Sequence, residues 1–202
     1  MRLEKASPEA IRYACLNFHY AKAIPQISLG YSVFNLKNEW CGVILFGRGA
    51  NPRIASCFGL AQGQVVELVR MALNGKQETT SKALAMALSA IKKDAPLVKL
   101  IVSYADKNQG HAGIIYQATN WFYTGEIAKS ETGIIVRGKL RHRRSIGKKY
   151  GNSSIAWLRK HVDAVARIAH GETKLKYVFV LDKRLRKRIA GISKPYPAKN
   201  AG

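Results

Sequence analysis

Between residues 31 and 105 the chain passes from apolar runs to a helical repeat and back, and this order restricts the fold more than any other feature. "YSVFNLKNEWCGVILFGRG" reads as two strands. The first carries Tyr31, Val33 and Leu36, and the second is the apolar run Cys41–Phe46, broken by Gly47 and Gly49. A loop through Asn51 and Pro52 follows. "QVVELVRMAL" is a further strand, with Val66, Leu68 and Arg70 on one face. "TTSKALAMALSAIKK" sets Leu84, Ala87, Leu88 and Ile91 at helical spacing, with Thr79, Thr80 or Ser81 as its N-cap. "LVKLIVSYA" returns to a central strand. Such a β-β-β-α-β-α order predicts an α/β (α+β) fold: a single domain over 1–202 with a mixed central sheet flanked by helices.

The remaining elements are expected around that core. Ser7 caps a helix that starts at Pro8, with Ile11 and Ala14/Cys15 at helical spacing. Gly110–Tyr123 is expected as a helix ended by Gly125, and "GIIVRG" as a short strand. "SSIAWLRKHVDAVARIAH" is expected as one amphipathic helix, with Ile155, Leu158, Val162, Val165, Ala166 and Ala169 inward. "KYVFVL" is a last strand and "DKRLRKRIAG" a basic helical tail.

Charge points to the partner. Lys and Arg number 34 against 12 Asp and Glu, a formal +22. Residues 137–202 hold 19 of the cations and only 3 carboxylates, so a polyanion-binding surface is expected in the last third. Cys15, Cys41 and Cys57 form no CxxC pair and are odd in number, which argues against zinc and against a disulfide framework, and for a reduced cytoplasmic setting. No apolar run is long enough for a membrane span, the N-terminus has no apolar signal core, and no metal site is expected.

Three constellations carry candidate chemistry. "SYADKNQGHAGIIYQATNWFYTG", Ser103–Gly125, is dense in hydrogen-bonding and aromatic groups: Tyr104, Asp106, Gln109, His111, Tyr116, Gln117, Asn120, Trp121 and Tyr123. On a helix, Ile114, Ile115, Ala118, Trp121 and Phe122 would pack on the sheet. Tyr116, Gln117, Asn120 and Tyr123 would form an outer face of amides and phenols suited to a flat, hydrogen-bonding ligand. Asp106 falls just past a strand's carboxyl end, where open α/β sheets build sites, although a turn or cap role is equally open. His111 as a structural hydrogen-bonder, and the tyrosines as cover for the core edge, are the plainer alternatives. The second constellation, Glu67–Leu84, joins Arg70 at a strand end to Ser81 at a helix start, where free N–H groups favour an anion. Ser81 as a simple cap, or Arg70 paired with Glu39 or Glu78, are the alternatives. In the third, "RGKLRHRRSIGKKYGNSS", Arg137, Lys139, Arg141, Arg143, Arg144, Lys148 and Lys149 occur without a carboxylate, and Gly138, Gly147 and Gly151 suggest a mobile loop. This is expected to hold phosphates within a basic region 137–160, with Lys183–Arg188 of the 182–202 tail as a second contact.

The Ser103–Gly125 motif, together with "FHYAKAIP" (18–25), "ELVRMAL" (67–73) followed by Ser81, "KKYGNSSIAWL" (148–158) and the terminal "KPYPAK" (194–199), resembles the bacteriophage Mom proteins over most of the chain. The resemblance implies a GCN5-related acetyltransferase-like fold. It also implies conversion of adenine N6 in double-stranded DNA to N6-(carbamoylmethyl)adenine, which blocks host restriction in the host cytoplasm. Tyr20, Arg70, Ser81 and Tyr104 match positions bearing on activity. Asp106 is the first choice of proton acceptor for N6 and His111 the second, and the base is expected to be flipped out of the duplex. An acyl donor is required, free or carrier-bound. The loop "KQETTSKA" lacks the glycines of an acetyl-CoA pyrophosphate turn, and acetyl transfer cannot supply the amide nitrogen, which favours a glycine-derived donor over acetyl-CoA. An acyltransferase acting on RNA or protein, or a basic nucleic-acid binder without catalysis, are the competing readings. The sequence sets no oligomeric state.

Overall fold

The computed structural model describes residues 1–49, 51, 53–107, 110–127, 131–171 and 173–197. Pro52, Gln109, Ala198 and Lys199, which the sequence motifs include, lie outside them. The chain forms two compact units: one of Met1–Ala105, Ala112–Gly125 and Lys176–Gly202, the other of Asp106–His111 and Glu126–Leu175.

The first unit is built on a seven-stranded sheet of β1 (Arg2–Lys5), β2 (Leu29–Phe34), β3 (Trp40–Gly47), β4 (Val65–Leu73), β5 (Leu100–Asp106), β10 (Lys174–Val180) and β6 (Phe122–Ile127), in that spatial order. β1 to β4 pair antiparallel and β4 pairs parallel with β5, so the sheet is mixed as expected. β1 was not legible: "RLEK" has one apolar residue, and its pairing with β2 at the sheet edge makes it a strand.

Helix α1 (Pro8–Asn17) starts as read, with Ser7 Oγ accepting from the Ala10 N–H at 3.2 Å. It buries Ala14 and Cys15 on Val43, Leu45 and Ala72. α2 (Thr80–Asp94) covers the other face, where Tyr31 meets Phe46 edge-on and donates its hydroxyl to Asp94 at 3.1 Å. Its cap is Thr79, not Ser81: Thr79 Oγ1 accepts from the Lys82 N–H at 3.2 Å. Leu36 is 73% exposed in the β2–β3 turn rather than in a strand. The Asn35 side chain ends β2 there by accepting from the Lys37 and Glu39 N–H groups.

The helix expected over 110–123 is only α3 (Ile114–Ala118), and Gly125 lies inside β6 rather than ending a helix. The Thr119 hydroxyl donates to the Ile115 carbonyl at 2.7 Å, Asn120 turns left-handed at φ 60°, and the Trp121 N–H closes on the Tyr116 carbonyl at 3.0 Å. This short turn inverts the expected faces. Tyr116 and Tyr123, expected outside, are buried, and Ile114, expected inside, is 52% exposed, whereas Trp121 is buried as expected. Gly113 precedes α3 at φ 76°, where a β-carbon would overlap the Tyr177 ring.

The second unit is a three-stranded sheet, β8 (Lys139–Arg141), β7 (Glu131–Val136) and β9 (Arg167–His170), with α4 (Arg143–Tyr150) and α5 (Ile155–His161). Its core joins Ile134, Val136, Ile146, Leu158 and Ala166. The expected helix over 153–170 stops at His161, and Val165 is 78% exposed rather than inward. Asp163 breaks it: its carboxylate accepts from the Arg137 N–H at 2.5 Å and the Val165 N–H at 3.1 Å. The basic 137–151 stretch is also not a glycine-hinged loop. Arg137 (φ 50°) and Gly138 (φ 70°) make a two-residue hairpin turn, Gly147 sits within α4, and Gly151 (φ 74°) caps it. A short 3₁₀ turn at Lys183–Leu185 and α6 (Arg186–Gly191) form the basic tail of the first unit. Among the described residues no helix is long and apolar enough to cross a membrane.

Candidate functional site

β4 and β5 pair for only three residues each, Val65–Glu67 with Leu100–Val102. β4 runs on to Leu73 and β5 to Asp106, so beyond that point no ladder joins them. The cause lies in β4. Its register with β3 shifts where Leu45 and Phe46 face Arg70 and Leu68, leaving Val69 as an extra residue that bends the strand. One side-chain bridge spans the parting. Ser103 Oγ donates to the Leu68 carbonyl at 3.1 Å and stands 2.9 Å from the Tyr116 hydroxyl. With its one hydrogen spent on Leu68, Ser103 accepts from Tyr116. Burial above all pushes the Tyr116 phenol up to about 12, and Tyr177, Glu67 and Tyr20 add to it. Tyr116 is therefore a neutral donor at neutral pH.

On the α1 face of the sheet, Arg70 stands opposite Leu45. Its guanidinium donates to the Ala23 carbonyl, and its Nε is buried without a hydrogen-bond partner. Burial raises the Cys15 thiol, and the neighbouring Arg70 charge opposes that rise. The suggested partners are engaged elsewhere: Glu39 accepts from Asn35 Nδ2 at 2.8 Å, and Glu78 from the Leu36 N–H at 2.6 Å. Tyr104, half-buried, is pushed up to about 12 by burial first, then by Glu67 and Cys57. Glu67 thus lies within electrostatic reach of both Tyr104 and Tyr116, and sequence reasoning missed it. At Gly49, φ 71°, a β-carbon would overlap the Glu67 carboxylate, a constraint that only the fold reveals. Tyr20, just past α1, is 52% exposed and stacks on His19 at 4.3 Å.

A second concavity runs along α2. It is an open groove of about 850 Å3 that gathers Ser81, Asn120, Phe179, Lys82, Lys183 and Arg186. Its hydroxyl, amide and cations suit an anionic ligand. Of the four residues expected to form one reading face, only Asn120 serves this groove. Tyr116 and Tyr123 stack on Tyr177 in the core, at 4.8 and 5.3 Å. Gln117 is half-buried and donates to the Ala112 carbonyl at 3.5 Å.

In the second unit, the Asp106 backbone carbonyl accepts from the His111 N–H at 3.3 Å, closing a turn between the two candidate residues. Asp106 is half-buried and His111 exposed. Lys107 beside them pairs with Glu126 at 2.6 Å. Among the seven basic candidates, Arg137, Lys139, Arg144, Lys148 and Lys149 are exposed, and Arg141 is half-buried. Arg143 is committed elsewhere. It grips Glu131 with two bonds of 2.7 Å and donates to the Ser153 carbonyl at 2.6 Å.

Comparison with known proteins places this geometry. Two solved structures of Vibrio cholerae spermidine N-acetyltransferase, a chimera and a single-residue variant, superpose with TM-scores of 0.50 at 8% and 9% identity. They cover 92% and 93% of this chain and 99% and 97% of their own, which establishes an acetyltransferase fold. The methylcarbamoylase mom of Escherichia phage Mu is 28% identical over 195 residues, 94% of this chain and 79% of that one. The model of the Mom protein family matches residues 1–198, and the chain belongs to that family.

Proposed function

We propose that this chain is a phage transferase that modifies adenine N6 in double-stranded DNA to N6-(carbamoylmethyl)adenine and so shields phage DNA from host restriction in the infected cell. The observation that carries this is the family match over residues 1–198, with a relative named as a methylcarbamoylase. The N6 amine is a weak nucleophile because its lone pair is delocalised into the ring. It needs a positioned proton acceptor, a role given to Asp106 at the carboxyl end of β5, with His111 as the alternate. Arg70, with its unsatisfied Nε, is suited to an oxyanion or a donor carboxyl group. Tyr104 remains protonated at neutral pH and is suited to donate, and the exposed ring of Tyr20 to stack on an extruded base. Ser81 and the cations of the α2 groove are placed to hold the donor.

The donor must bring two carbons, an oxygen and a nitrogen. A glycyl unit has them: its transfer gives N6–CO–CH2–NH2, an isomer that needs a rearrangement to become the product, whereas acetyl-CoA lacks the nitrogen. The exposed cations of α4 and the hairpin contact the DNA backbone. Nucleoside mass spectrometry of plasmid DNA from expressing cells tests the activity. A heavier N6-substituted deoxyadenosine is expected; only unmodified nucleosides under several growth conditions would overturn the proposal.

A further inference from the structure

We infer that the outer face of the β8-β7-β9 sheet docks in the major groove of duplex DNA and touches thymine methyl groups through Leu140 and Ile135; this rests on the DNA-modification reading above. In the ladder, Ile134 faces Arg141, Ile135 faces Leu140, and Val136 faces Lys139; on the other side, Ile135 faces Arg167. Ile134 and Val136 are fully buried toward the helices. The two-residue alternation of strands therefore puts Leu140, Ile135 and Arg167 in one row on the opposite face. Leu140 is 59% exposed, and Val165, just before β9, is 78% exposed. Gly133 lies along that face, where a β-carbon would overlap the Arg141 carbonyl.

The charge around this apolar strip selects its occupant. Arg137 stands in the hairpin turn at one end of the strip and Arg167 closes the row, whereas Lys139 and Arg141, opposite Val136 and Ile134, share the other face. The two carboxylates of the described residues 131–171 are already used: Glu131 by Arg143, and Asp163 by the Arg137 and Val165 N–H groups. A protein surface would have to bring carboxylates to this rim and an apolar patch to its centre. The major groove offers both features on every duplex, with phosphates on its walls and thymine methyls on its floor. At about 12 Å wide it admits a two-stranded ribbon. The ribbon is held stiff for insertion, because the Arg137–Gly138 turn is fastened to Asp163 at 2.5 Å. Shape and methyl contacts at this face would set site preference, separately from the phosphate contacts of α4.

The test uses the full chain and one DNA fragment amplified with either thymidine or deoxyuridine triphosphate. Uracil keeps pairing and charge but lacks the methyl. The wild type is expected to bind the thymine fragment about fourfold tighter for each methyl it covers. Leu140→Ala, and Leu140→Asn as a variant of similar size, should lower that ratio by the share of the methyls Leu140 covers while leaving the salt dependence and the melting temperature unchanged. Equal binding of both fragments by the wild type, or an undiminished ratio in both variants, overturns the inference and leaves the DNA reading standing. A wild type that binds neither fragment at low salt overturns both.

Discussion

The Leu68–Ser103–Tyr116 bridge makes an asymmetric prediction about stability. Tyr116→Phe removes one buried hydrogen bond of 2.9 Å but leaves Ser103 donating to Leu68 at 3.1 Å. The net loss should be about 1 kcal/mol, the usual worth of one intramolecular bond. Ser103→Ala is worse. It strands the Tyr116 hydroxyl, in a residue only 7% exposed, and takes the side-chain donor from the Leu68 carbonyl. An orphaned buried donor costs about 1–3 kcal/mol. In the double variant no phenol is left to strand, so its cost should fall short of the sum of the singles by roughly 0.5–1.5 kcal/mol. Guanidinium unfolding of the four proteins reads these differences. A Tyr116→Phe variant less stable than Ser103→Ala, or costs additive within about 0.5 kcal/mol, would refute the assigned donor directions. Modification in cells should also fall further in Ser103→Ala, because that serine fastens β5 to β4 where their ladder stops.

Asp106→Asn should abolish adenine modification while DNA affinity and circular dichroism stay unchanged; near-normal modification would remove Asp106 from the chemistry. Replacing Arg144, Lys148 and Lys149 by alanine should flatten the log–log salt slope of DNA binding by about 3, whereas Arg143→Ala should lower the melting temperature instead, since Arg143 is spent on Glu131 and Ser153. The Glu131 carboxyl is held below its usual range, chiefly by hydrogen bonds from Arg143. A depressed carboxylate stabilises above its unfolded value and loses that contribution as pH falls through the folded one. Thermal melts should therefore show the wild type ahead of Glu131→Gln at pH 7, with the gap closing below about pH 4.

The sequence carried the strand–strand–helix–strand core because each element there is long and regular in its apolar spacing. β3, β4, α2 and β5 all fall where the runs place them. It misplaced the elements decided by a single polar contact. Apolar spacing alone continues α3 through Trp121 and α5 through Ala169, but the Thr119 hydroxyl and the Asp163 carboxylate redirect the backbone. The consequence for the site was large, because ending α3 at Ala118 turned Tyr116 and Tyr123 into core and left Asn120 outside. Asp106 and His111 could be named from sequence at the end of β5, and Arg70 on β4, although β4 runs on to Leu73 rather than ending near it. Glu67 could not, because its place beside two tyrosines depends on the bulge at Val69, which no residue in "ELVRMAL" announces.

The start of α2 bears on which donor this chain uses. A turn that cradles a pyrophosphate presents backbone N–H groups with nothing else bound to them. Here the Thr79 side chain takes the Lys82 N–H, and the Thr79 carbonyl takes that of Ala83. Gln77 folds over the same turn, its amide 2.9 Å from the Thr80 hydroxyl and its Oε1 buried without a partner. A helix end satisfied by its own side chains has less to give a phosphate. The chain instead supplies positive charge from side chains farther along the groove, Lys82, Lys183 and Arg186, beside the hydroxyl of Ser81. Such a groove suits a donor whose charge is spread along its length better than one anchored by a single pyrophosphate. Side-chain cations, rather than a glycine turn, would then hold the donor of the proposed reaction.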